Sequence, residues 1–260
     1  DSYVFKHIMK DIANACIIDN NLDQLHVTSH LDKLKWKTNC DSVIVFCGDM
    51  IDRLRPKINE NNNLVDPEDM DIHILNAAMR LDDEAVKQGG RVLIVMGNHE
   101  LANFNHHFDY VPLTHQSSFR REHFTRGSCF AKRLAKHAYL SVCVNDYVCV
   151  HGGFTDENAI YELDKCNQLL YYALSCDKKK CINENEVINN YWDFISNREN
   201  SGPSWDRSWG GITRREHVKQ KKSGDVECAS LPRIMQKLGF SKKDAKNKKL
   251  IIAHCPQHYN

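Results

Sequence analysis

The sequence predicts an α/β fold, and three observations support this. Short apolar runs of strand length alternate with longer stretches of helical periodicity. Four of those runs end in clusters of glycine and polar side chains. Nothing repeats internally, and no linker-like composition divides the chain, so residues 1–260 are expected to form a single domain.

In chain order, Tyr3 to Ile18 has apolar residues at roughly helical spacing. Val43 to Cys47 is a compact buried-strand candidate that ends at Gly48. Glu68 to Gln88 places Ile72, Leu75, Ala78, Met79, Ala85 and Val86 on one helical face, and Gly89-Gly90 would stop that helix. Val92 to Met96 is a second buried strand, ending at Gly97. Phe119 to His137 reads mostly helical. Leu140 to Val144 and Tyr147 to Val150 read as two strands joined by a turn at Asn145-Asp146. Asp156 to Ser201 reads as a helical or irregular insertion, Ser230 to Leu238 as a helix, and Leu250 to Ala253 as a last short strand.

The bulk numbers exclude several classes. The chain is 42% hydrophobic and 27% charged, ordinary values for a globular protein. With 35 Lys and Arg against 34 Asp and Glu, the net charge is +1, so no basic excess calls for a nucleic acid. The apolar runs are far shorter than the roughly 20 residues a membrane span needs. There are eleven cysteines, an odd number in a chain too long for a small disulfide scaffold. Cys47, Cys143 and Cys149 lie in apolar runs, where a thiol behaves as a small hydrophobe, and a reducing, cytoplasmic setting is expected. Cys176 and Cys181 could pair or bind metal, but two unrelated thiols in a polar loop is the simpler reading.

The polar clusters carry the chemistry. They are Gly48-Asp49-Met50-Ile51-Asp52-Arg53, Gly97-Asn98-His99-Glu100, His151-Gly152-Gly153 and Ala253-His254-Cys255-Pro256-Gln257. In open α/β sheets, ligands collect beyond the carboxyl ends of strands, so four such ends can deliver side chains to one place. Asp, Asn and His are oxygen and imidazole ligands suited to Mn, Fe or Zn. Alone, each is a common cap or turn residue; together and in this order they point to a metal centre.

These motifs resemble those of the calcineurin-like metallophosphoesterases, and within them the phosphoprotein phosphatases. Gly48 to Arg53 matches a Gly-Asp-x-x-Asp-Arg motif, Gly97 to Glu100 a Gly-Asn-His-Glu motif, and His151 to Gly153 a His-Gly-Gly motif. His254 matches the last metal histidine, and Gly202 to Arg207 is similar to a Gly-Pro-x-Trp-x-Arg segment. Leu101-Ala102-Asn103, Tyr110-Val111, Arg121 and Phe124 make the chain look most like the Shewanella-like bacterial-type branch.

The resemblance implies a β-sandwich of two mixed sheets flanked by helices. It implies two metal ions (Mn, Fe or Zn), Asp49 bridging them and Asn98, His151 and His254 completing the second. A metal-bridging hydroxide would attack phosphorus, Arg53 and Arg207 would neutralise the phosphoryl charge, His99 would protonate the leaving oxygen, and Asp52 would orient His99. The expected substrate is a phosphorylated protein, at Ser/Thr or Tyr, or a small phosphoester, with no nucleic acid or membrane partner. Alternatives are a nucleotide or dinucleoside polyphosphate hydrolase, or a phospho-binding homologue without activity.

The chain departs from the family pattern in two ways. The Gly-Asp-x-His-Gly motif that supplies the rest of the first metal's ligands does not occur, so the chain is expected to begin just after it, without the first strand. Leu54 stands where many members carry Gly. Arg120, Arg121 and Arg126 could grip a phosphorylated substrate, but a solvated helix face is the simpler expectation.

Overall fold

The computed structural model describes residues 2–19, 31–52, 70–112, 115–176, 186–200, 202–209 and 223–254. Arg53, Leu54, Cys181 and the Cys255-Pro256-Gln257 end of the last cluster lie outside the described residues.

Helix α1 (Ser2–His7) continues into a turn of π-helix at Ile8–Ile12. The helical expectation for Tyr3 to Ile18 is corrected beyond that point. Asn14 takes the left-handed conformation, φ 52°, which ends a right-handed helix. Cys16–Ile18 then forms strand β1, paired antiparallel with β2 (Leu34–Trp36).

Strand β3 (Val43–Phe46), helix α2 (Met70–Val86) and strand β4 (Arg91–Val95) follow. β4 alternates faces with the two-residue period of a strand. Val92 and Ile94 join the main core under α2, while Leu93 and Val95 face the other way. Helix α2 buries Leu75, Ala78, Met79 and Leu81 there, each large side chain contributing roughly 1.5–3 kcal/mol.

Helix α3 (Asn98–Phe104) starts straight off β4. Phe119 to His137, expected as one helical stretch, is two short helices, α4 (Ser118–His123) and α5 (Cys129–Leu134). Gly127 (φ 81°) breaks the run, and Ser117 and Ser128 cap the two pieces by accepting from the N–H groups of Arg120 and Ala131.

Strand β5 (Ala138–Tyr139) completes a parallel sheet in the order β3-β4-β5. Strands β6 (Ser141–Val144) and β7 (Tyr147–Val150) form the expected hairpin, with Asn145 at φ 53° in its turn. Helices α6 (Leu163–Ser175) and α7 (Glu186–Ser196) pack into the same core as α2, through Leu170, Leu174, Trp192 and Ile195. Cys176 is disulfide-bonded, so its reading as an unrelated thiol is corrected. Helices α8 (Ser223–Lys237) and α9 (Lys242–Ala245) precede β8 (Lys249–Ile251), which pairs parallel with β7.

The protein is therefore α/β, with one parallel and one mixed three-stranded sheet flanked by helices. Leu93 and Val95 of β4 meet Val142 and Cys149 of the second sheet, forming the interior between the sheets. Val148 and Val150 face outward onto Ile234, Met235 and Leu238 of the α8 region. The described strands that end in polar clusters run parallel in pairs, β3 with β4 and β7 with β8, so their carboxyl ends gather.

Asp82 ties α2 to β4. It accepts from Arg91 Nε (2.9 Å), the Val92 N–H (2.8 Å) and His137 Nδ1 (2.9 Å). Burial alone would push its carboxyl up, but His137, Arg91 and Val92 outweigh burial and bring it down to about 2. The unfolded chain, with an Asp value near 3.9, then binds more protons than the native one as pH falls from about 4 to about 2, so stability declines with falling pH across that window. Acid unfolding of Asp82→Asn, followed by circular dichroism, is expected to lack about 2–3 kcal/mol of this pH-dependent stability.

Candidate metal centre and acid–base pair

The site grows from the tips of β3 and β4. Gly48 sits at φ 84°, and a Cβ there would lie 2.6 Å from Gly97 Cα and 2.6 Å from His151 Nδ1. Gly97 is equally confined, because a Cβ there would lie 2.3 Å from Asp49 Oδ1. Both glycines are needed for the two loops to touch. Glu100, fully buried on α3, then clamps them: its carboxylate accepts from the N–H groups of Asp49 (2.9 Å), Met50 (2.7 Å) and Gly97 (2.8 Å). Asp49 and Asp52 both adopt left-handed backbone, φ 53° and 68°, an arrangement that costs about 1–3 kcal/mol and that the surroundings must impose.

This closure brings four sequence-predicted residues together. His151 Nδ1 donates to the Cys47 carbonyl at 2.6 Å, which turns Nε2 toward the other residues, and although burial would lower the imidazole, the Asp49 carboxylate outweighs it and holds it above its ordinary value. That Nε2 lies 3.1 Å from Asp49 Oδ2, 3.0 Å from Asn98 Oδ1 and 3.1 Å from His254 Nδ1. Asp49, His151 and His254 each offer a ligand atom within 4.8 Å of the others. Once His151 gives up its Nε2 proton, a carboxylate oxygen, an amide oxygen and an imidazole lone pair face one another as acceptors, and such a group holds together around a cation. Their spacing suits ligands about 2.0–2.2 Å from one ion. His254 Nε2 is buried and has no hydrogen-bond partner among the described residues. Burial, then the nearby His151 and Arg207, push the His254 imidazole down to about 4, so it is neutral and able to ligate at physiological pH. The residues present thus fit a metal ion.

Beside this group stands an acid–base pair. His99 Nδ1 bonds Asp52 Oδ2 at 2.9 Å, and its Nε2 turns toward the cluster, 3.8 Å from Asp49 Oδ2. Burial alone would lower the His99 value, but the Asp52 bond and the Asp49 charge outweigh it and hold the imidazole above its ordinary value. Tyr110 packs on the His99 ring at 4.7 Å between centroids.

Arg207 is exposed, close enough to His254 for its charge to depress that imidazole. The loop bearing it is pinned by Pro203, whose carbonyl accepts from Gly152 N (3.0 Å) and Gly153 N (2.8 Å). Ser204 Oγ donates to the Met96 carbonyl at 3.0 Å. The predicted phosphate grip from Arg53 falls outside the described residues.

The expectation for Arg120 is corrected. It is not on a solvated face but 1% exposed, under the phenyl ring of Phe124 at 5.3 Å. Its guanidinium donates to Asp52 Oδ1 (2.5 Å), Asp71 Oδ2 (3.0 Å) and Asn103 Oδ1 (2.8 Å). Asn103 Nδ2 in turn donates to both Asp52 oxygens at 3.0 and 2.9 Å. Asp52 is therefore saturated on both oxygens. Sequence alone gave Arg120 no such place, because an Arg-Arg-Glu run on a short helix reads as surface. The one available signal was Asn103, one turn after His99 on the same helix, where i and i+4 share a face.

The family model for calcineurin-like phosphoesterases matches residues 23–259. The chain is similar to an uncharacterized protein of Acanthamoeba polyphaga mimivirus, 25% identical over 200 residues, covering 68% of this chain and 74% of the relative. It is 29% identical over 166 residues to Shewanella-like protein phosphatase 1 of Plasmodium berghei (strain Anka), covering 54% of this chain and 45% of that protein. Among solved structures, a cold-active protein tyrosine phosphatase shares the fold with a TM-score of 0.60 at 20% identity, over 98% of this chain and 61% of the other. The chain thus spans about half of the Plasmodium relative and under two thirds of the solved one.

Removing the guanidinium leaves the buried Asp52 carboxylate only His99 and Asn103, and leaves Asp71 and Asn103 without their buried donor. Arg120→Met is expected to cost about 3–5 kcal/mol in urea unfolding.

Proposed function

The chain belongs to the calcineurin-like phosphoesterases, and on that premise we propose that it is a metal-dependent phosphatase of phosphomonoesters, with phosphoprotein as substrate. One observation carries this reading: an imidazole in a charged hydrogen bond, His99 to Asp52, stands beside a cluster of metal-type ligands. A carboxylate-backed imidazole next to a cation site can deliver a proton to an alkoxide leaving group. Its relatives and solved neighbours include proteins named as protein phosphatases.

In this mechanism Asp49, Asn98, His151 and His254 would hold the metal. Bound there, divalent ions supply Lewis acidity that lowers the pKa of water to near neutral and neutralises phosphoryl charge. The chain's own groups do the rest. The Cys47 carbonyl fixes the His151 tautomer, as the outer partners of ligating histidines do. Asp52 keeps the proton on His99 Nδ1, so Nε2 gives its proton to the oxygen leaving phosphorus. Arg207 contacts the phosphoryl oxygens, where a planar guanidinium can engage two at once.

Two outcomes test this. His99→Ala should cut kcat on an alkyl or seryl phosphate by about 10²–10⁴ and on an activated aryl phosphate by much less. Equal losses on the two would remove His99 from the acid role. Mn²⁺ or Zn²⁺ at about 100 times Kd should add about 2.7 kcal/mol of stability, a Tm rise of about 5–10 °C for a chain of this size. In a thermal-shift assay His254→Ala should abolish most of that rise.

A further inference from the structure

A cleft of about 490 Å³ opens beside the acid–base pair, within the size range of sites that bind small ligands or short segments. It is lined by Ala102 of α3 and by Asn105 just after that helix, whose first turn carries Asn98 and His99. One wall is Tyr110, the ring packed on His99. Another is Trp205, two residues from Arg207 in the loop pinned behind His151 by Pro203. The cleft thus starts where the proposed leaving group departs. His99 faces the oxygen that receives the proton, so whatever that oxygen is attached to extends past Tyr110.

The lining has a charge bias. It holds three carboxylates, Asp109, Asp193 and Glu199, against one guanidinium, Arg198. Asp193 already acts on Arg126. Asp109 and Glu199 are exposed and form no ion pair with any described residue. Aromatic rings combined with carboxylates suit a guanidinium, which stacks on the rings and pairs with the acids. A second phosphate or an acidic side chain would be repelled.

Building on the phosphoprotein reading above, we propose that this cleft receives the peptide flanking the phosphorylated residue and favours a basic side chain there, arginine above all. The cleft would then set sequence preference, while the metal site and His99 act on the phosphate alone.

The test uses the full-length protein with Mn²⁺ and two phosphopeptides that differ only in Arg or Glu flanking the phosphoresidue. The wild type should favour the Arg peptide in kcat/KM by about fivefold or more. The Asp109→Asn, Glu199→Gln double variant should bring that ratio to within about twofold. Equal rates on the two peptides, or a ratio the double variant leaves unmoved, would overturn the proposal. Failure of the underlying reading looks different. If neither peptide is cleaved, binding of both is read by fluorescence anisotropy. A fivefold Arg preference then keeps the cleft and discards hydrolysis of phosphoprotein, whereas equal Kd values discard both.

Discussion

The structure depends on the contact between the tips of β3 and β4. Two glycines remove the side chains that would hold the loops apart, and one buried carboxylate, Glu100, accepts from both loops and holds them together. Everything chemical follows from that contact. It turns Asp49 toward His151 and sets Asn98 at the first turn of α3. It also brings Asp52 under His99. Burial and then the nearby Asp49 charge push the Glu100 carboxyl up to about 7, and its backbone N–H bonds oppose them only in part. Glu100 takes three backbone N–H groups, and Asp52 takes Arg120, Asn103 and His99.

The two halves of the site are held by different physics. The metal-type ligands converge on one point, where the His151–Asp49 pair holds a proton that a cation would displace. The acid–base pair is the reverse, a network in which donors and acceptors balance around Asp52. The first half therefore gains stability from an ion, while the second is self-sufficient and rigid. Strained backbone at Asp49 and Asp52 marks the border between them.

Much of the site was legible in the sequence because its residues are short side chains at strand ends beside glycines, and that pattern survives in one dimension. Asp49, Asn98, His151 and His254 were identified from it, and they converge. The supporting residues were not legible. Arg120 reads as surface because burial of a guanidinium depends on Asp52 and Asp71, which are 68 and 49 residues away in sequence. The Cys47 carbonyl has no side-chain signature at all. In the fold, compact strands such as Val43–Phe46 and Tyr147–Val150 were visible from apolar runs. Strand β1 was hidden inside a stretch of helical spacing that left-handed Asn14 ends, β5 fell between two expected elements, and Gly127 split the stretch expected from Phe119 to His137.

The bond from His151 to the Cys47 carbonyl spans 104 positions of the chain, and the contact of His151 with His254 spans 103. Loops that long close late, since local contacts form before distant ones can compensate their entropy. An intermediate with β3, α2 and β4 in place would be well packed yet chemically mute, holding the acid–base pair but only part of the ligand set. Loading with a metal ion would thus report on completion of the second sheet, making ion uptake a clock for the last stage of folding.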